Sequence, residues 1–167
     1  MAETKYGKYI IREPVEKMRF APGIHVCAEG DCAGSKFPSF PSEITLMTVT
    51  EPLEMNPQPH AHDYDQFLCF FGANSMNFIE FDAEIEVYLG EEGEKNIVDS
   101  TSIVYIPKGL LHCPIIFKRV TKPLIFGHIC FAPEYTRSIG DMDGHPPHRT
   151  REQYSAEELI KLRKGTP

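Results

Sequence analysis

The chain has 167 residues, 24 acidic and 17 basic, for a net charge of −7, and 41% of its residues are apolar. That length suits one domain with a sizeable core. An acidic balance with no Lys/Arg cluster argues against a nucleic-acid partner, and apolar runs far short of the roughly 20 residues that cross a bilayer argue against a membrane-spanning helix.

The first nine residues carry no apolar stretch of the kind that targets a chain for export, so the expected location is cytoplasmic. Five cysteines are an odd number for a disulfide framework, and five reduced thiols are expected. Cys27 and Cys32 have the spacing of half a zinc site, but no second cysteine pair completes it.

Residues 1–43 hold scattered turn signals (Pro14, Pro22-Gly23, Gly30, Pro38, Pro41) around short strand candidates at Lys8–Arg12 and Ile24–Cys27. From Ile44 the pattern changes. Strands are predicted at Ile44–Thr50, Gln66–Phe71, Glu84–Leu89, Ser102–Ile106, Cys113–Val120 and Leu124–Phe131, with Gly90–Lys95 as a charged turn. Short strands at roughly ten-residue spacing, with no helices between them, predict an all-β antiparallel sandwich or barrel. One helix is predicted, at the end. Ser155-Ala156-Glu157-Glu158 is a capping box, and basic Lys161, Arg163 and Lys164 suit the negative end of the dipole before Gly165. The chain is therefore read as one domain, with an arm at 1–43, a barrel core at 44–131 and a closing loop and helix at 132–167.

The densest chemical signal is His60-Ala61-His62. On an extended segment, residues two apart share a face, so both imidazoles can reach one metal ion. Tyr64 and Gln66 continue that parity. A third histidine, His112, follows the turn Pro107-Lys108-Gly109. His128 falls in phase with Phe126 and Cys130 in a late strand, which makes it a candidate for the barrel interior and for proton transfer. Strand parity adds Tyr64, Glu86, Tyr88 and Tyr105 as pocket candidates. His145 and His148, between prolines, read as a solvated loop, and His25 carries no signal.

At these residues the sequence resembles the cupins. That family's first motif is Gly, five residues, His-x-His, three or four residues, Glu, six residues, Gly; here His60-Ala61-His62 is followed by Gln66 and Gly72. The centre of its second motif, Pro-x-Gly-x-x-His, is matched fully by Pro107-Lys108-Gly109-Leu110-Leu111-His112. The resemblance covers roughly 44–131. Glu54, Thr101 and Ile116 depart from the pattern at its leading glycines and closing Asn.

The resemblance implies a double-stranded β-helix, or jelly-roll barrel, with a divalent transition metal (Fe, Ni, Mn, Zn or Co) on His60, His62, Gln66 and His112. Gln66 stands where the family has a carboxylate ligand. Either its amide oxygen coordinates or the site is one of three histidines. In both cases the ion's charge is left uncompensated, which favours anionic substrates. The expected function is a small metal-dependent enzyme of the oxygenase or isomerase/lyase type. It would act on an organic acid or other oxygenated metabolite, with His128 and Tyr64 as catalytic groups. The alternative is a non-catalytic binding module that senses or sequesters a small ligand; a metal-free sugar-modifying barrel fits the grouped histidines less well. A homodimer is expected, since residues 1–15 offer a strand-like arm and cupins are commonly dimers.

Overall fold

Strands dominate because β-branched and aromatic residues fill the central segments and Gly, Pro and Asp punctuate them. In the computed structural model, residues 5–27, 42–132 and 154–165 are described. They form ten strands: β1 Val15–Lys17, β2 Pro22–Val26, β3 Glu43–Val49, β4 Leu53–Met55, β5 Gln66–Gly72, β6 Ala83–Leu89, β7 Glu94–Val98, β8 Ser102–Ile106, β9 His112–Val120 and β10 Leu124–Cys130. One helix, α1 Ala156–Arg163, follows.

Two antiparallel sheets face each other. The first has the order β1-β2-β3-β10-β5-β8 and the second β4-β9-β6-β7. Without β1 and β2, the eight strands β3–β10 split four and four, and the chain crosses between sheets at nearly every connection. That order is a jelly roll. β1 and β2 extend the first sheet beyond β3 through Val26↔Ile44, Ile24↔Leu46 and Val15↔Ile24.

The core lies between the sheets. Phe70 on β5, Phe117 on β9 and Phe126 on β10 form its centre, with ring centroids 5.4 to 6.2 Å apart. Ile85, Val87, Ile106, Ile115 and Leu124 pack around them. Gly72 closes β5 where a Cβ would lie 2.1 Å from the Glu80 carbonyl oxygen, so only glycine fits there.

The predicted strands of the core and the capped helix are present within a residue or two. Both halves of the capping box form: Ser155 Oγ accepts from the Glu158 amide, and Glu158 Oε2 accepts from the Ser155 amide. Three departures have identifiable causes. Lys8–Arg12 is not a strand: Lys8 and Tyr9 belong to a single 3-10 turn at Gly7–Tyr9, Glu13 takes φ +55° and Pro14 has no amide to donate, so pairing begins only at Val15. β4, Leu53–Met55, starts directly after Pro52 and is not among the predicted strands, since three residues are too few to show a period. Residues Glu94 and Lys95, read as turn, pair with Leu89 and Tyr88 of β6, so tertiary pairing overrides their low strand propensity.

The thiol expectation is also corrected. Cys27 is disulfide-bonded, while Cys69, Cys113 and Cys130 are free and buried. An odd count excludes only the pairing of all five cysteines, not a single bridge. Cys32, His145 and His148 lie outside the described residues.

The added strands are joined to the barrel by a buried polar cluster. Glu16 on β1, His25 on β2 and Glu43 on β3 are all buried. His25 Nδ1 lies 3.2 Å from Glu16 Oε1, and its Nε2 lies 3.0 Å from Glu43 Oε1. A histidine with a carboxylate at each ring nitrogen joins three strands through one side chain. Removing it would leave two acids buried together, which costs more than an apolar contact of the same size. His25→Ala should therefore lower unfolding stability by about 3 kcal/mol, measured in urea. His25→Gln, which keeps one donor, should recover part of the loss. At the other end of the chain, backbone and side-chain hydrogen bonds from Ser155, with Lys17 beside it, hold the Glu158 carboxyl down at about 2. A depressed carboxyl stabilises the fold above its ordinary range and loses that contribution as pH falls toward its folded value. The cap should therefore hold at pH 5 and loosen progressively toward pH 2, followed through the Glu158 carboxyl carbon shift.

Candidate metal centre

Residues 56–65 carry the chain from the edge of the second sheet to the start of β5 in the first. Along that path His60 pairs with His112 as an isolated antiparallel bridge, extending the edge that β4 makes with β9. The His60 amide donates to the His112 carbonyl at 3.0 Å, and the His112 amide donates to the His60 carbonyl at 2.9 Å. Two residues on, the Gly109 amide donates to the His62 carbonyl at 2.8 Å, and the Lys108 amide donates to Asp65 Oδ1 at 2.8 Å. Gly109 sits at φ +80°, the left-handed conformation that this turn requires and glycine adopts freely. The Pro107-Lys108-Gly109 turn is thus fastened to the His-x-His segment by backbone hydrogen bonds.

This fastening brings three imidazoles together. His60, His62 and His112 are all buried, and their ligand nitrogens lie within 4.8 Å of one another. The ring centroids are 4.6 to 5.0 Å apart. His60 Nδ1 donates to the Gln58 carbonyl at 3.1 Å and His112 Nδ1 donates to the Leu110 carbonyl at 2.9 Å. With the proton fixed at Nδ1 by a carbonyl, Nε2 carries the lone pair in both rings. Neutral imidazoles with oriented Nε2 lone pairs are the donor set a divalent transition metal takes, so the residues fit such an ion. Among the described residues this is the one such group of His, Cys, Asp and Glu side chains, and it holds no carboxylate.

Gln66, the first residue of β5, is also buried. Its Nε2 donates to His112 Nε2 at 2.8 Å, and its Oε1 accepts from His128 Nε2 at 2.5 Å. The amide therefore bridges His112 and His128. The lone pair of His112 Nε2 serves either this amide or a cation, not both at once. His128 is half-buried on the inner face of β10, and Cys130 Sγ lies 3.2 Å from its Nε2. Burial raises the Cys130 thiol to about 12, with the Glu43 carboxylate adding to the shift and a Tyr64 hydrogen bond opposing it.

Tyr64 is buried and stacks on His62, with centroids 4.8 Å apart and planes 13° from parallel. Of the pocket candidates drawn from strand parity, it alone joins the site. Glu86 and Tyr88 lie on the outer face of the second sheet, opposite the core residues Ile85 and Val87. There Tyr88 donates to Glu86 Oε2 at 2.9 Å, and Lys95 and Lys118 approach Glu86 Oε1 at 3.4 and 4.0 Å. Tyr105 lies on the outer face of β8 and is 52% exposed. Parity alone cannot say which face is the inner one. The sequence reading missed the Glu16–His25–Glu43 cluster, since its members are far apart in the chain and stand on no recognisable motif.

No protein-family model and no curated protein matches this chain. Solved structures do. An oxalate oxidase in complex with the substrate analogue glycolate is 10% identical, with a TM-score of 0.46 over 70% of this chain and 53% of that one, so this chain spans about half its length. A cupin superfamily protein from Desulfitobacterium hafniense DCB-2 is 10% identical, with a TM-score of 0.41 over 68% and 81%. The polyketide cyclase RemF from Streptomyces resistomycificus is 15% identical, with a TM-score of 0.41 over 77% and 71%. The order of the eight strands β3–β10 is that of a jelly roll, and it brings the histidines of both motifs together.

Proposed function

We propose that this chain is a metal-dependent cupin enzyme in which His60, His62 and His112 hold one divalent transition metal (Fe, Ni, Mn, Zn or Co). Its substrate is a small oxygenated metabolite bearing a carboxylate or another anionic chelating group. The observation that carries this reading is the convergence of three buried imidazoles with no acidic donor among them. A bound ion would keep its full positive charge at such a site, and an anionic substrate supplies the compensation that the protein does not. The ion would act as a Lewis acid on the chelated group. Oxygenase chemistry, or isomerase/lyase chemistry, is the class of reaction this arrangement suits.

The chain's own side chains have separable tasks. The Gln58 and Leu110 carbonyls fix the tautomers of His60 and His112. Gln66 reaches the same Nε2 of His112 that would hold the ion, and also His128, so a bound ion would take over the place of its hydrogen bond to His112 while the contact with His128 positions the amide. His128 is the group that can hold or release a proton next to the centre, at Nε2. Tyr64 keeps the His62 ring in plane by stacking.

Elemental analysis of protein purified without chelator should find close to one metal per chain. His60→Ala and His112→Ala should each abolish it. Protein that takes up no iron, nickel, manganese, zinc or cobalt would overturn the reading. Metal-loaded protein that binds anionic metabolites without turning any over would be a binding module instead. A second expectation concerns charge. Gln66→Glu places a carboxylate beside the three imidazoles and should raise metal affinity by roughly 10-fold or more, read by competition with a chromophoric chelator. The same variant should bind small carboxylates more weakly than wild type.

A further inference from the structure

Residues 73–82 join β5 to β6, and in this loop Met76, Phe78 and Ile79 are 90, 60 and 70% exposed. The backbone beneath them is closely held. Asn74 Oδ1 accepts from the Met76 amide, the Asn74 carbonyl from the Asn77 amide and the Asn77 carbonyl from the Glu80 amide, each at 3.0 Å. The Phe78 carbonyl accepts twice, from the Gly72 amide at 2.8 Å and from the Thr101 hydroxyl at 2.7 Å. The acids at the loop's base are paired, Glu80 with Lys122 and Asp82 with Arg119. The polar groups of the loop thus hold its own shape, while its apolar side chains face outward. β5 runs from Gln66, beside the imidazoles, to Gly72, beside the loop, a rise of about 20 Å. Loop and candidate metal centre therefore stand at opposite ends of the sandwich.

We infer that this loop docks the chain onto the surface of a neutral phospholipid bilayer, resting in the interface without crossing it. Area, backbone and charge favour lipid over a protein partner. Three side chains of this size offer on the order of 400 Å² of apolar surface, about half of the ~800 Å² that each partner buries in a stable protein complex. Insertion into a bilayer interface has no such threshold. Its strength scales with the apolar area buried, to a depth of roughly 5–10 Å. A peptide group that leaves water at that depth must find its partner within the protein. The amides of Met76, Asn77 and Glu80 and the carbonyls of Asn74, Asn77 and Phe78 all have theirs in the loop or at its base. Charge selects the headgroup. A chain of net charge −7 is repelled by an anionic bilayer, whereas the two ion pairs at the base match a headgroup that carries both signs. Docked in this way, the chain keeps its candidate metal centre at the far end, away from the lipid.

Sedimentation of the full chain with phosphatidylcholine vesicles tests this. Wild type should pellet with the vesicles, and less of it should do so when phosphatidylserine replaces part of the lipid. Phe78→Asp with Ile79→Asp should lower the partition coefficient ~10-fold or more, because a carboxylate holds the loop in water. Ile97→Asp, at a 48% exposed position on the second sheet, should leave partitioning unchanged. The chain has no tryptophan, so Phe78→Trp adds a single reporter. Its emission should move to shorter wavelength on vesicles and be quenched by lipid brominated close to the headgroup. Circular dichroism checks that each variant folds, and Met76→Asp replaces the double variant if that one does not. A wild type that stays in the supernatant overturns the inference and leaves the loop to an apolar groove on a protein partner. Binding that survives the double variant, that is lost in Ile97→Asp, or that rises with phosphatidylserine overturns it equally.

Discussion

The reciprocal backbone bridge between His60 and His112 is the contact on which the candidate site depends. It pairs two residues far apart in the chain and sets one histidine from each motif directly opposite the other. The bond from the Gly109 amide to the His62 carbonyl does the same for the third ring, through a turn that only a left-handed residue can make. Backbone pairing of this kind leaves the side chains no need to find one another. The two rings are also oriented locally, because each Nδ1 proton of His60 and His112 is held by a carbonyl two residues earlier.

Charge is the second constraint. Three imidazoles and an amide gather at one end of the sandwich, and no carboxylate stands among them. The buried acids of the first sheet, Glu16 and Glu43, are instead engaged with His25 on the added strands. Those two carboxylates are thus engaged by His25 and do not stand among the three imidazoles. Within the site, Gln66 offers hydrogen bonds where an acid would offer charge. The structure uses both ends of its amide, one toward His112 and one toward His128.

The first sheet therefore has two unlike faces. Its inner face carries the polar groups around the centre, from His25 and Glu43 across to Cys130 and Gln66, in the same rows that pair β2, β3, β10 and β5. Its outer face carries the large apolar side chains. β5 and β10 carry apolar residues on both faces, so Gln66–Phe71 and Leu124–Phe131 show no clean alternation, whereas Glu84–Leu89, with charged and polar residues on its outer face, alternates strictly.

The sequence by itself determined the elements whose signals are local. Periodicity and turn residues placed most core strands, the serine and glutamate three residues apart placed the helix start, and spacing placed His60, His62 and His112 on one candidate site. It could not say which face of a strand looks inward, so Glu86, Tyr88 and Tyr105 were grouped with Tyr64 although they point away from the core. It could not show that Gln66 lies between two histidines, since its partners are 46 and 62 residues away. Nor did it reveal the Glu16–His25–Glu43 cluster, whose residues meet only because β1 and β2 add to the edge at β3. A period of two leaves the choice of face open until sheets pack, and long-range polar contacts exist only once strand order is set.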